Sequence, residues 1–322
     1  MPLEGRPPGK RLRVLTWHVH GNYLYYLTQV PHDWYVLSKP GYPPGYAGRS
    51  GRLPWGDNVH DMPITAVRAH EFDCIVFQSG SHYRDDQHVY LSEAQRRLPR
   101  IYLEHDPPQQ HPTNTRHPVD DPAVLLVQVT PFNALMWDNG NTPVRVIEHG
   151  VLVPEDVRYS GENDTGISVV NHLGRRGRRL GADVFAQVRQ EVPLALVGME
   201  AELAGGLGEV RNVDLPAFMA RYRFFFNPIR YTSLGLAVVE AMCVGLPVVA
   251  LATTEMVTVI RNRENGYADT DVQRLIVVMR ELLANRAVAQ KWGEAARRLA
   301  RERFAIGRFV HDWCNALSLV TA

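Results

Sequence analysis

The chain has 322 residues, enough for two domains of about 150 residues each and a sizeable buried core. It is 45% hydrophobic and 21% charged with a formal net charge of +1, a balance that excludes a disordered chain and a strongly basic nucleic-acid binder, so no nucleic-acid partner is expected. The three cysteines, Cys74, Cys243 and Cys314, are too scattered for a disulfide framework or a zinc cluster.

MPLEGRPPGKRLR (1–13) has no apolar h-region, and nowhere do about 18 apolar residues run together. A cytoplasmic protein is expected, with peripheral contact at the inner face of a membrane left open. Residues 1–10 read as a tail. RVLTW (13–17), DWYVLS (33–38), DCIVFQS (73–79), RIYLEH (100–105), AVLLVQVT (123–130) and VRVIEHG (144–150) are short apolar or β-branched runs closed by turn residues, the pattern of buried parallel strands. His18 and His20 of WHVHGNY are expected on one side of the first strand. Residues 40–56, PGYPPGYAGRSGRLPWG, carry no periodicity and read as a long surface loop, a kind of loop that is often functional. LSEAQRRL (91–98) reads as a helix capped by Ser92.

The second half repeats the alternation. GISVVNH (166–172) and LALVG (194–198) read as strands, GADVFAQVRQEV (181–192) and DLPAFMARY (214–222) as helices, the latter with Asp214 as its cap. RFFFNP (223–228) and PVVAL (247–251) read as strands around the helix LAVVEAMCVG, and the chain is helical from Asp271 to its end. Strand and helix alternating in both halves predict an α/β protein with two doubly wound parallel sheets and a boundary near HGVLVP (149–154).

Within YTSLGLAVVEAMCVGLPVVA (231–250), a helix starts near Gly235, beyond the carboxyl end of a strand, and Gly245 can end it. The backbone N–H groups of Ser233, Leu234, Gly235 and Leu236 then form an anion site. Glu240 lies about one and a half turns further on among apolar residues. A buried carboxylate needs partners, and two readings stay open: an arginine, or the adjacent hydroxyls of a ribose. HLGRRGRRLGADVF (172–185) places Arg175, Arg176, Arg178 and Arg179 between a strand and a helix. Arginine forks suit a diphosphate, and a solvated basic loop is the alternative. His105 ends a strand and faces the crevice where such sheets bind ligands. The sequence reads as lacking an Asp-x-Asp triplet, in agreement with chemistry that needs no metal.

The stretch TSLGLAVVEAMCVGLPVVA resembles the Glu-x7-Glu signature of the retaining nucleotide-sugar glycosyltransferases of GT-B fold, group 1 (family 4), and VIEHGVLVP, ENGYA (264–268) and WGEAARRLARERFAIGRFVHDW (292–313) resemble further parts of that family. The resemblance implies GT-B architecture, with two Rossmann-like domains facing each other across a cleft. They would be an acceptor domain over 11–149, a donor domain over 150–306, and a C-terminal helix, 307–322, returning to the first. It implies a hexosyltransferase that uses a nucleoside-diphosphate sugar as donor substrate, needs no cofactor or metal, and retains anomeric configuration. The acceptor would be a hydroxyl of a carbohydrate or lipid-linked molecule, its site shaped by residues 40–60 and 81–90. Glu240 matches the second signature Glu, which holds the ribose; the first falls on Thr232, a departure that puts donor identity in question. Arg175 matches the first phosphate-binding cation. Leu180 takes the place of the second, leaving Arg179 or Arg178 to substitute. Gly21 and Asn22 match the loop that approaches the donor phosphates, and His105 matches a histidine near the sugar and acceptor. Gly150 suggests a hinge. The rival readings are a sugar-nucleotide epimerase and a catalytically weakened relative that binds a nucleotide or glycan; a dinucleotide oxidoreductase is disfavoured because no Gly-x-Gly-x-x-Gly follows the first strand.

Overall fold

A computed structural model describes residues 11–51 and 53–322. The tail expected over 1–10 lies outside the described residues, as does Arg52. The chain divides into two compact units: one runs to Gly150 and takes up Ile306–Ala322, the other is Val151–Ala305.

In unit 1 the apolar runs form β1 (Arg13–Thr16), β2 (Asp33–Ser38), β4 (Cys74–Phe77), β5 (Arg100–Glu104), β6 (Val124–Gln128) and β7 (Val144–Val146), joined by β3 (Val59–Pro63). Helices α1 (Gly21–Leu27), α2 (Gln87–Tyr90), α3 (Glu93–Arg96) and α4 (Pro131–Met136) lie between them. The sheet is parallel throughout, in the order β3-β2-β1-β4-β5-β6-β7. Every residue of β4 and β6 is buried, as expected where both faces of a parallel sheet are covered. The unexpected strand is β3, whose VHDMP carries two charged or polar residues and a proline. It pairs only with β2, and a sheet edge tolerates that composition.

Two local expectations for unit 1 are corrected. His18 and His20 are not on a strand: β1 stops at Thr16, His18 makes an isolated bridge to Gly45, and His20 precedes α1 as its N-cap. The helix expected over 91–98 is the single turn α3, held by a capping box between Ser92 and Gln95.

Unit 2 contains β8 (Gly166–Val169), α5 (Leu173–Arg176), α6 (Ala182–Arg189), β9 (Leu194–Val197), α7 (Leu215–Met219), β10 (Phe225–Asn227), α8 (Leu236–Val244), β11 (Val248–Leu251), α9 (Met256–Val259), β12 (Gly266–Asp269), α10 (Val272–Ala284) and α11 (Arg286–Arg303). The last helix, α12 (Ile306–Thr321), belongs to unit 1. The sheet order is β12-β11-β10-β8-β9, again parallel. Phe224, Phe226, Leu196 and Val249 pack with Phe185, Leu275 and Met279 in its core. Asp214 does not cap α7. Its carboxylate instead accepts from Arg211 Nε at 2.5 Å.

Helix α8 is held from behind. Gly245, at φ 103°, ends it, and the Arg297 guanidinium donates to the carbonyls of Cys243 (2.6 Å) and Val244 (3.3 Å). Gly293 of α11 comes so close that a Cβ there would lie 1.9 Å from the Gly245 carbonyl oxygen. Gly150 also serves packing, since a Cβ there would stand 2.2 Å from Cβ of Phe309 on α12. Among the described residues no helix is long and apolar enough to cross a membrane.

Candidate active site

In unit 2 the chain leaves β8 towards β9 on one side and continues from β10 to β11 on the other, so the strand order reverses between β8 and β10. Crevices outside the carboxyl ends of strands at such a switch point are where these sheets bind ligands. The two loops that border it, 170–181 and 228–235, contain Arg175, Arg179 and Thr232 to Gly235, and Leu236 opens α8 immediately after. The loops are stitched together: the amides of Arg230 and Tyr231 both donate to the Arg179 carbonyl, at 3.0 and 3.2 Å. The Arg230 guanidinium donates to both oxygens of Asp183, at 2.5 and 2.8 Å, and these bonds above all hold the Asp183 carboxyl at about 2. Gly181, at φ 80°, lets the loops meet, because a Cβ there would stand 1.9 Å from the Pro228 carbonyl oxygen.

The four arginines of the first loop are used differently. Arg178 is taken by Asp183 at 2.6 Å. Arg175 Nε lies 3.7 Å from Glu200 Oε2, with two thirds of its side chain exposed. The half-buried Arg179 side chain enters no ion pair or hydrogen bond with the described residues. Beside them, His172 (φ 55°) and Glu200 (φ 59°) both adopt left-handed backbone, and His172 Nδ1 lies 2.9 Å from Glu200 Oε2. Strain of this kind in non-glycine residues costs of order 1–3 kcal/mol each and clusters at functional sites. Neither residue carries a signal for this in the sequence.

Across the crevice, α8 begins with Gly235 as its N-cap, with no side-chain cap and no acidic residue in the first turn. Its first internal bonds run from the Val238 and Val239 amides to the Gly235 carbonyl. The preceding N–H groups are those a helix start leaves without intrahelical partners, at the positive end of the dipole. Ser233 and Leu234 are buried, and Thr232 is half-buried. Glu240 is 1% exposed, and Asn212 Nδ2 lies 3.5 Å from its Oε1. Asn212, in the irregular segment before α7, escapes sequence reading because its role depends on a contact across 28 residues. The arrangement combines fixed cations, helix-start amides and a buried acid: features that bind an anionic group and, beyond it, hydroxyls.

Gly21, Asn22 and His105 belong to unit 1, and the structure brings them to one end of its sheet. There the order reverses between β1 and β4. Gly21 and the exposed Asn22 open α1, just after β1. His105 follows β5, its ring edge-on to His20 (4.3 Å between centroids) and Tyr23 (4.8 Å). Gln78 donates through Nε2 to Thr16 Oγ1 (2.9 Å) and the Trp17 carbonyl (2.8 Å), which leaves its Oε1 to accept from His105 Nε2 at 3.0 Å. Burial, reinforced by His20 and His149, puts the His105 pKa well below the ordinary 6.5. The imidazole is therefore neutral and can orient a hydroxyl but brings no charge.

An Asp-x-Asp triplet does occur, contrary to expectation: Asp269-Thr270-Asp271, at the end of β12. Its carboxylates are engaged locally. Asp271 caps α10 through the Gln273 amide at 2.9 Å, and Asp269 accepts from the Asp271 amide at 2.9 Å and from Tyr267 Oη at 3.2 Å.

Residues 168–285 match the family described as glycosyl transferases group 1. No curated protein matches the chain. Among solved structures, it is similar to a sucrose-phosphate synthase from Thermosynechococcus elongatus, with 16% identity, 96% of this chain and 99% of that one covered, and a TM-score of 0.70. It is similar to Anabaena HepE, solved with UDP and glucose, at 16% identity, 96% and 100% coverage and a TM-score of 0.69. A glycosyltransferase from Rickettsia africae gives 12% identity, 97% and 99% coverage and a TM-score of 0.66. Residues 168–285 thus match a group 1 glycosyl transferase domain, and the chain as a whole shares the GT-B fold of these solved structures.

Proposed function

We propose that the enzyme transfers a hexosyl group from a nucleoside-diphosphate sugar to a hydroxyl of a carbohydrate or lipid-linked acceptor, with retention of configuration and without a metal or cofactor. Unit 2 binds the donor and unit 1 the acceptor. The observation that carries this reading is Glu240, 1% exposed on the helix that starts at the switch point of unit 2. Its carboxylate accepts from the two ribose hydroxyls, each such charge-assisted bond being worth roughly 1.5–3 kcal/mol. The diphosphate then extends towards the amides of 233–236 and the guanidiniums of Arg175 and Arg179.

As the glycosidic bond breaks, negative charge grows on the departing phosphate, and these preorganised donors stabilise it more than they stabilise the ground state. The departing phosphate takes the proton of the acceptor hydroxyl that attacks the same face, which accounts for retention. In unit 1 the neutral His105, which with Gly21 and Asn22 lies at the end of its own sheet, can orient a hydroxyl. The crystal of Anabaena HepE with UDP-glucose supports a nucleotide sugar as the donor class. Thr232, where the family's first signature Glu would stand, favours one second reading: a weakened relative that binds the nucleotide and turns over slowly, because a hydroxyl cannot hold charge beside an oxocarbenium.

Thermal melts against a panel of nucleoside diphosphates and their sugar conjugates test the proposal. A ligand at about 100 times its dissociation constant adds about 2.7 kcal/mol of stability. Glu240→Ala is expected to abolish that shift for the true nucleotide, and a shift that survives the substitution overturns the ribose assignment. Release of nucleoside diphosphate in the presence of a chelator separates transfer from binding alone.

A further inference from the structure

Gln78 follows β4 and is 5% exposed, and its surroundings fix which way round its amide lies. The Trp17 carbonyl, 2.8 Å away, only accepts, so the amide atom that faces it is the nitrogen. Thr16 Oγ1 gives its own hydrogen to the Val76 carbonyl at 2.9 Å, so it too can only accept from that nitrogen, at 2.9 Å. An amide turned the other way would press oxygen against oxygen at Trp17. Thr16 and Val76 pair in register on the neighbouring strands β1 and β4, so the sheet itself holds this arrangement.

The orientation carries over to β5. Gln78 Oε1 faces His105 Nε2 at 3.0 Å, so that nitrogen bears the ring hydrogen. A neutral imidazole has only one, and burial, with His20 and His149 alongside, keeps this ring neutral. Nδ1 is therefore left with its lone pair, and no hydrogen bond from the described residues engages it. The residue is fixed in place as well. Asn133 Nδ2 donates to the His105 carbonyl at 3.2 Å and Trp137 Nε1 to that of Asp106 at 2.8 Å, while His20 and Tyr23 stand edge-on to the imidazole.

We infer that Gln78 is a positioning residue: locked by Thr16 and Trp17, it fixes His105 as the Nε2–H tautomer, so that Nδ1 meets the substrate as a hydrogen-bond acceptor. Such a nitrogen selects a group that brings its own hydrogen, a hydroxyl, over a group that only accepts, such as a phosphate or carboxylate oxygen. That the hydroxyl is the one that receives the sugar rests on the transfer proposed above. The tautomer itself does not.

Long-range proton–nitrogen NMR correlations on the isotope-labelled full-length protein test this, because protonated and bare ring nitrogens resonate far apart. His105→Gln identifies the signals of this ring among the 13 histidines. The wild type is expected to show Nε2 protonated and Nδ1 bare between about pH 8 and about pH 6. A ring protonated at Nδ1, or charged, over that range overturns the inference without recourse to any variant of Gln78. Gln78→Leu, which removes the amide and keeps much of its bulk, is expected to let both tautomers exchange. It is expected to slow transfer about tenfold while the nucleotide-dependent melting shift stays as in the wild type. A Gln78→Leu ring spectrum identical to that of the wild type also overturns the inference. The two readings fail separately. The expected spectra without turnover of any nucleotide sugar by the wild type sink the transfer and leave the tautomer lock standing, whereas turnover that Gln78→Leu leaves unchanged sinks the positioning role alone.

Discussion

The two sheets reverse their strand order in the same way but furnish the reversal differently. In unit 2 it is bordered by arginines, a helix start and a buried acid. In unit 1 His18 and His20 follow β1, His82 follows β4, His105 follows β5 and His149 follows β7. Of the 13 histidines, only His172 falls within Val151–Ala305. A guanidinium keeps its charge at any working pH, whereas an imidazole kept neutral offers one donor and one acceptor. The comparison teaches that one topology can present fixed positive charge in one unit and, at His82 and His105, imidazoles that burial keeps uncharged in the other, a division that fits the proposed binding of a diphosphate and a hydroxyl.

The most damaging way to break the contrast is at Gly181. Alanine there meets both a positive φ and the Pro228 carbonyl, so the stitched loops must separate, at an expected cost of about 4 kcal/mol. Melts of Gly181→Ala are expected to show that loss together with loss of the nucleotide shift. Native stability would mean that the loops do not depend on their contact.

Acid should act on unit 1 next. His82 is 4% exposed and stacked on Trp17, and burial pushes its pKa down to about 4, opposed by Asp86 and aided by Lys39. Because the folded pKa is depressed, the unfolded chain binds the proton first. Stability present above the ordinary 6.5 is therefore lost as pH falls from there towards about 4, to the extent of about 3 kcal/mol from this residue. His105 adds to the loss in the same direction. Denaturant melts across that range are expected to slope steeply for the wild type and less for His82→Gln. Equal slopes would show that His82 is not held neutral.

These differences were only partly legible in the sequence. The α/β alternation was, because β-branched runs such as VLLVQ can be satisfied only inside a covered parallel sheet. Strands β3 and β12 were not, since each lies at a sheet edge and tolerates residues that spoil the pattern. Glu240 stood out because α8 is apolar around it. The engagement of Arg178 by Asp183 did not, because RRGRR offers four chemically identical guanidiniums and only the turn through Gly177–Leu180 sorts them. The loop at 40–56 was visible as irregular, but the contacts of Gly48 with His18, Arg49 with Asp61 and Tyr46 with Asp86 use partners that sequence spacing cannot supply.

The smallest effect is the most discriminating, because it divides two neighbours of the same chemistry. Arg178 is paired with Asp183 and contributes its carbonyl to Arg230, so Arg178→Ala exposes a carboxylate that Arg230 still neutralises, and nucleotide affinity should change by less than about threefold. Arg179→Ala leaves the backbone stitch to Arg230 and Tyr231 in place, because that bond uses its carbonyl, and removes only the guanidinium. The loss of its charge-assisted bonds to phosphate should weaken nucleoside-diphosphate binding by roughly 1.5–3 kcal/mol, read by calorimetry, while the corresponding nucleoside is bound as before. If both variants weaken the nucleoside equally, Arg179 shapes the loop rather than meeting a phosphate, and the charge contrast between the two units would rest on Arg175 and the helix start alone.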